Sequence, residues 1–157
     1  RAGRCLRERR TNVAAGDMGT FGPDGRSVIV ANIPVDGWAA GEFLTIEMES
    51  DSFTDTAGSG GEVARVKTMD RRATVKIILL QTSPTNAAFE ALHNLDINAP
   101  NGAGVGSLMI RDRSGTAMYR ADKVWIMKPA NISFDRESKS REWIVRVAWL
   151  VREGGGN

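Results

Sequence analysis

The stretch that most constrains the fold of this chain runs from Thr74 to Asp96. It begins with the run Val75 to Leu80, which is apolar and largely β-branched apart from one lysine, and this pattern predicts a strand buried on both faces. Ser83 and Pro84 follow and favour a helix start, because the hydroxyl can cap free amides and proline lacks the amide that the first helical position leaves unpaired. An apolar stripe at helical spacing then predicts a helix over about residues 84–95, the only substantial helix that the sequence predicts.

The rest of the sequence consists of short strand-like segments separated by turn signals. They do not alternate with further helices, so the pattern does not favour a parallel βαβ sheet. Segments at this spacing predict a mainly β fold, an antiparallel β-sandwich or half-barrel of about seven strands with one flanking α-helix. Besides the strand that begins at Thr74, the predicted strands cover residues 27–33, 42–49, 62–69, 107–111, 116–127 and 143–151.

The segment at residues 42–49 has the clearest alternation. Its even-numbered positions from Leu44 to Met48 are apolar, which predicts a strand with one covered face and one wetter, acidic face. The wetter face carries Thr45, Glu47 and Glu49. In the last predicted strand the same alternation places Trp149 on one face with Trp143.

Residues 51–61 are polar and glycine-rich, and they predict a loop that is too long for a tight hairpin. Residues 62–69 then predict the strand that returns from this loop. Phe53 is the one large apolar side chain in the loop. Two interpretations stay open, because Phe53 can fold back onto its own core or wait for a partner surface.

Charge is concentrated at the beginning of the chain. The formal net charge of the 157 residues is +2, and residues 1–17 contain five arginines against two acidic residues, so the remainder is near neutral. Residues 1–17 are predicted to be a basic N-terminal arm, which could contact phosphates or a neighbouring subunit, or a non-native extension. The sequence from Met18 has the form of a natural start and favours the extension. We expect residues 18–153 to form a single domain and residues 154–157 to form a flexible tail.

Motifs for catalysis or for metal binding are largely missing. His93 is the only histidine and Cys5 the only cysteine, so the sequence predicts no zinc site, no internal disulfide and no cofactor. The glycines of residues 102–107 follow a helix and open a strand, the reverse of a dinucleotide-binding loop. Glu47 and Glu49 form the one carboxylate pair of interest. They support an alternative hypothesis, a monomeric β-barrel binding module or a small hydrolase that uses this pair.

Two sets of residues carry a resemblance to a known family. The first is the strand ending in Leu-Gln-Thr-Ser-Pro-Thr-Asn at residues 80–86, followed by a short helix. The second combines residues 41–47 (Gly-Glu-Phe-Leu-Thr-Ile-Glu), 51–54 (Asp-Ser-Phe-Thr) and 60–63 (Gly-Gly-Glu-Val). Together they resemble bacteriophage tail tube proteins, over roughly Ser27 to Val151. The resemblance implies a structural protein without enzymatic activity. It implies stacked hexameric rings, in which strands of six subunits join into one barrel around a channel.

The resemblance also implies two sets of site residues. The acidic face at Thr45, Glu47 and Glu49 is expected to line the channel, with Arg65 and Lys67 opposite it on the return strand. The long loop is expected to reach the adjacent ring. Its candidate contact residues are Asp51, Phe53, Thr54 and Asp55.

The implied partners are those of a phage tail. The chain is expected to assemble with itself, to meet a tail sheath protein on the outside, and to meet baseplate and tail-terminator proteins at the ends of the tube. Genomic DNA is expected to pass through the lumen without specific contacts during ejection into the host. The resemblance favours a contractile tail, a location in the virion, and assembly in the host cytoplasm.

Overall fold

The computed structural model describes residues 25–113 and 115–154. The basic segment at residues 1–17 and most of the expected tail at residues 154–157 lie outside these ranges. Within them the chain forms ten strands and one helix. In chain order these are β1 (Arg26–Val30), β2 (Ile33–Pro34), β3 (Leu44–Met48), β4 (Phe53–Ala57), β5 (Val63–Lys67), β6 (Ala73–Leu80), α1 (Thr85–Asn98), β7 (Gly106–Asp112), β8 (Met118–Lys128), β9 (Ser140–Val147) and β10 (Val151–Glu153).

Eight of these strands form one antiparallel sheet. Seven follow the order β2-β1-β7-β8-β9-β6-β3, and β10 pairs with β8. The sheet curls: Leu44 of the edge strand β3 and Ile110 of β7 line the same cavity of about 310 Å³, although three strands lie between β7 and β3. One apolar core therefore serves the whole sheet. The predicted mainly β fold with one helix is confirmed.

The strand predicted from the apolar run lies at the centre of this core. Val75, Ile77 and Leu79 of β6 are fully buried. The aromatic rings of Phe89 on α1 and Trp143 on β9 meet edge to face, with centroids 5.5 Å apart. The core thus fixes the helix against the sheet through aromatic packing.

The predicted helix is confirmed, although it runs from Thr85 to Asn98 where residues 84–95 were expected. The Ser83 hydroxyl accepts a hydrogen bond from the Thr85 amide at 3.3 Å, so this serine does serve the helix start. In the last turn of the helix the Asn94 carbonyl accepts a hydrogen bond from the Asn98 side chain at 2.8 Å. The helix stops before Pro100, whose ring disfavours helical backbone in the preceding residue.

Two predicted strands are broken by turns. The first contains Ala31 and Asn32, whose φ angles of 49° and 65° form a two-residue turn between β1 and β2. The last bends after Val147, and β10 then pairs with β8 where residues 143–151 were expected to run straight. The prediction that Trp149 shares the buried face of Trp143 is therefore wrong. Trp149 is 45% exposed and Trp143 is buried.

The segment predicted as a loop contains a strand. β4 pairs with β5 in a separate two-stranded sheet, in which Phe53 lies opposite Lys67 and Ala57 lies opposite Val63. The return strand β5 therefore does not pair with β3, whose partner is β6. The turn closes at Gly58, whose amide donates to the Glu62 carbonyl at 2.8 Å.

Candidate functional site

The outer face of β3 carries the residues predicted to line a channel. Thr45 and Glu47 point away from the core, because the residues that alternate with them pack against it. The Glu47 carboxylate lies 3.3 Å from the Lys76 Nζ on the paired strand β6. The Thr45 hydroxyl donates to the carboxylate of Glu42 at 2.8 Å.

Glu49 follows β3 directly and belongs to a network that spans three strands. Its carboxylate accepts hydrogen bonds from the Thr74 hydroxyl and the Arg146 guanidinium. Arg146 also donates to the Thr74 hydroxyl oxygen at 3.0 Å. The Thr74 hydroxyl and then the Arg146 guanidinium hold the pKa of the Glu49 carboxyl below its usual value.

This face is charge-balanced, and its cations are not the predicted ones. In the hairpin of β4 and β5, Arg65 lies opposite Asp55 and Lys67 lies opposite Phe53. The expectation that Arg65 and Lys67 face the acids of β3 is therefore wrong. Lys76 and Arg146 take that place, each beside one glutamate. Lys76 is the one cation of the apolar run Val75 to Leu80, and Arg146 is the one cation of the strand predicted at residues 143–151, a sequence signal that could have identified them.

The geometry gives the glutamate pair no catalytic arrangement. Each carboxylate is engaged by a cation of its own, and they do not converge on a cleft with a nucleophile or a second acid. In the described ranges no group of histidine, cysteine and acidic residues could hold a metal ion. Nor does that part of the chain contain a helix long and apolar enough to cross a membrane.

A second candidate surface is the hairpin of residues 51–69. From here on we call this hairpin, and not the basic segment at residues 1–17, the arm. All ten residues of its two strands are exposed, so neither face packs against the sheet. Val63 and Val66 are 66% and 60% exposed. A lone two-stranded hairpin is marginally stable in water, because backbone hydrogen bonds alone do not offset the entropy of ordering it.

The arm residues predicted to contact another ring are divided between its two faces. Phe53 and Asp55 share the face that includes Arg65, whose guanidinium carbon lies 4.4 Å from the centroid of the Phe53 ring. Thr54 lies on the opposite face with Val66. Asp51 precedes the strand and is exposed. Phe53 is 48% exposed, so it does not fold back into the core of its own domain.

Comparisons with known proteins give a relative from a phage and two solved structures of the same fold. Structural protein ORF10 of Pseudomonas phage KPP10 is 24% identical over 149 residues, which cover 91% of this chain and 86% of that protein. The anti-feeding prophage cap, described as a tube-terminating cap, has the same fold with a TM-score of 0.62 and 8% identity, covering 93% of this chain and 98% of that chain. The sheath/tube terminator of the extracellular contractile injection system PVC, in its extended state, gives a TM-score of 0.59 and 10% identity over 89% of this chain and all of that chain.

A family comparison covers most of the described sheet. The family model of the bacteriophage PhiTE tail tube protein matches residues 26–151, a range that contains β1 to β9, the helix and the arm. This range also contains both sets of residues on which the resemblance in sequence rests. The chain therefore belongs to the bacteriophage PhiTE tail tube protein family, which consists of structural tail proteins and not of enzymes.

Proposed function

We propose that this protein self-assembles into hexameric rings that stack into the tail tube of a contractile phage, a conduit for DNA ejection into the host. The observation that carries the proposal is the arm, whose two strands pair with each other and stay exposed on both faces among the residues that the structure describes. A neighbouring subunit that covers one of its faces supplies the missing burial. In a tube, the adjacent ring lies within reach of such an arm.

The edge of β3 supports lateral assembly into a ring. The Phe43 carbonyl accepts a hydrogen bond from Ile78 and the Glu49 amide donates to Arg72, both on the side of the neighbouring strand β6. Backbone groups alternate in direction along an antiparallel strand, so those of Leu44, Ile46 and Met48 point away from β6. An open edge of this kind invites pairing with another chain, and a closed ring removes it.

In the proposed tube the outer face of β3, with Thr45, Glu47 and Glu49, lines the lumen. Lysine and arginine bind DNA by replacing counterions at the phosphates. Here Lys76 and Arg146 are each engaged by a glutamate of the same subunit. A wall of such pairs lets DNA pass without specific contacts.

The remaining partners follow from the position of a tube in a virion. A sheath surrounds it, a baseplate and a tail terminator close its ends, and the parts assemble in the host cytoplasm. The two solved structures of the same fold support this arrangement, because they come from a tube-terminating cap and from a sheath/tube terminator.

Negative-stain electron microscopy of the purified protein, with and without residues 1–17, tests the proposal. We expect hexameric rings and hollow filaments that become more frequent at higher protein concentration. Rings that never stack would favour a terminating role instead, as in the two structural neighbours. Small monodisperse particles at every concentration would contradict self-assembly. A matched variant that replaces residues 51–69 with two glycines tests the arm, and we expect it to form rings without filaments.

A further inference from the structure

The arm joins the sheet at a short gap between two ladders of backbone hydrogen bonds. The ladder of β3 and β6 ends where the Glu49 amide donates to the Arg72 carbonyl at 3.1 Å. The ladder of the arm begins where the Thr68 amide donates to the Ser52 carbonyl at 2.9 Å. Between these two bonds no backbone hydrogen bond joins the outgoing leg that leads into the arm (residues 50 and 51) to the returning leg that leads out of it (residues 69–71).

One side-chain hydrogen bond joins the two legs inside this gap among the residues that the structure describes. The Ser50 hydroxyl donates to Asp70 Oδ2 at 3.0 Å, across 20 positions of sequence. Asp70 is itself held by Arg72, whose Nε lies 2.9 and 3.0 Å from its two carboxylate oxygens and whose Nη2 lies 2.7 Å from Oδ2. The Arg72 amide also donates to Asp70 Oδ1 at 3.1 Å. Arg72 therefore fixes the position of the Asp70 carboxylate that accepts the hydrogen bond of Ser50.

The returning leg is attached to the sheet next to this carboxylate. The Arg71 carbonyl accepts a hydrogen bond from the Leu150 amide at 3.0 Å. The Arg71 guanidinium carbon lies 5.0 Å from the centroid of the Trp149 ring. Asp70 thus lies on the returning leg, which is attached to the sheet, and its hydrogen bond with Ser50 connects the outgoing leg to it.

A small rotation where the arm joins the sheet (its root, at residues 50 and 70) moves the turn at its far end (its tip, at residues 58–61) by a large distance. Both strands of the arm are exposed on both faces, so no packing against the sheet restrains them. At about 3.4 Å per residue, the nine residues from Ser52 to Gly60 span roughly 30 Å, so a rotation of about 10° at the root moves the tip by about 5 Å. A shift of this size exceeds the tolerance of a packed interface.

We propose that Asp70 is a positioning residue for assembly: by holding Ser50, it fixes the direction of the arm relative to the sheet and so aims the arm at the adjacent ring. This inference rests on the proposed role of the arm in stacking. The pKa of the Asp70 carboxyl is held well below its usual value, chiefly by the Arg72 side chain, so the carboxylate stays ionised to a more acidic pH than an ordinary aspartate.

Pulsed electron–electron double resonance measures the direction of the arm in a dilute solution of the 157-residue protein. Spin labels go on Ser59→Cys in the turn of the arm and Asn94→Cys on the helix, in a Cys5→Ser background. We expect Ser50→Ala and Asp70→Ala to broaden the distance distribution, and Ser50→Thr, which keeps a hydroxyl, to retain the original width. Asp135→Asn is the matched control, because Asp135 also accepts from a backbone amide and a lysine, at 2.8 and 2.9 Å, but lies far from the arm in sequence.

The same variants are then examined for filaments by electron microscopy. We expect Ser50→Ala and Asp70→Ala to form rings but to shorten the mean filament length at least tenfold, while Ser50→Thr and Asp135→Asn form filaments of normal length. If the variant without the arm also forms normal filaments, the proposed role of the arm fails. If that variant forms none, while Ser50→Ala and Asp70→Ala keep the original distance distribution and filament length, the positioning role is overturned and the role of the arm stands.

Discussion

The sheet and the arm are built from the same kind of antiparallel ladder, yet their environments are opposite. Ala73, Val75, Ile77 and Leu79 of β6 are fully buried. All ten residues of β4 and β5 are exposed. Backbone pairing is regular in both, so pairing does not distinguish them. The difference teaches that the described part of this chain buries its sheet but leaves its arm uncovered, and this is the reason for proposing that another subunit covers the arm.

The largest effect on the free energy of unfolding is expected from a substitution that creates a cavity in the core of the sheet. Trp143 packs against Phe89 and is buried, so we expect Trp143→Ala to lower the free energy of unfolding by about 3–5 kcal/mol. Urea denaturation of the dilute protein measures the loss. Phe53→Ala on the arm is the matched aromatic truncation, and we expect it to change the same quantity by less than about 0.5 kcal/mol. Equal losses in the two variants would break the comparison.

A smaller loss is expected from the polar contact that docks the helix. The side-chain oxygen of Asn86 accepts a hydrogen bond from the Trp143 indole N–H at 2.9 Å, and the side-chain amide of Asn86 donates to the Leu80 backbone carbonyl at 2.8 Å. Asn86→Ala leaves the buried Trp143 indole N–H unpaired and should lower the free energy of unfolding by about 1–3 kcal/mol. Asn94→Ala, on the exposed side of the same helix, is the control. A loss in Asn86→Ala no larger than that of the control would contradict this account of helix docking.

On the arm we expect the reverse pattern, with little effect on folding and a large effect on assembly. Val66→Asp places a charge on the uncharged face and should change the free energy of unfolding of the monomer by less than about 0.5 kcal/mol, because Val66 is exposed. It should abolish filaments in electron micrographs. Val105→Asp introduces the same charge at another exposed valine, outside the arm. Filaments of normal length in Val66→Asp would show that this face stays free.

The smallest expected effect lies at the boundary between the two regions. The folded pKa of Glu49 lies below its usual value of 4.5, so its ionised form stabilises the protein fully above pH 4.5, and this contribution is lost as pH falls through the folded pKa. We expect Glu49→Gln to lower the melting temperature at pH 7 and to approach the wild type below pH 4.5. Glu137→Gln, in an exposed loop, controls for the loss of one charge. A constant difference at all pH values would contradict the assignment.

The body of the fold was predictable because its signals are local. An apolar run and a Ser-Pro pair predict β6 and α1, and the alternation at residues 42–49 predicts which side of β3 faces the core. These patterns arise from burial, and burial is what the sheet and the helix have in common.

The arm and the charge pairing were not predictable for the same reason. The return strand β5 was expected within residues 62–69, but β4 buries neither face, so its sequence lacks the apolar alternation that predicts a strand. The partners of Glu49 lie 25 and 97 positions away, at Thr74 and Arg146, and local patterns do not reveal long-range pairing. Trp149 was placed on the wrong face because the bend after Val147 is produced by pairing of β10 with β8.

Hydrogen exchange of the backbone amides, measured in dilute monomers and again in assembled tubes, tests the central claim most directly. We expect the amides of β6 and β9 to be protected in both states. Those of β4 and β5 should exchange rapidly in the monomer and on the order of a hundredfold more slowly in the tube. Arm amides that are as protected in the monomer as those of β6, or that stay unprotected in the tube, would contradict the account.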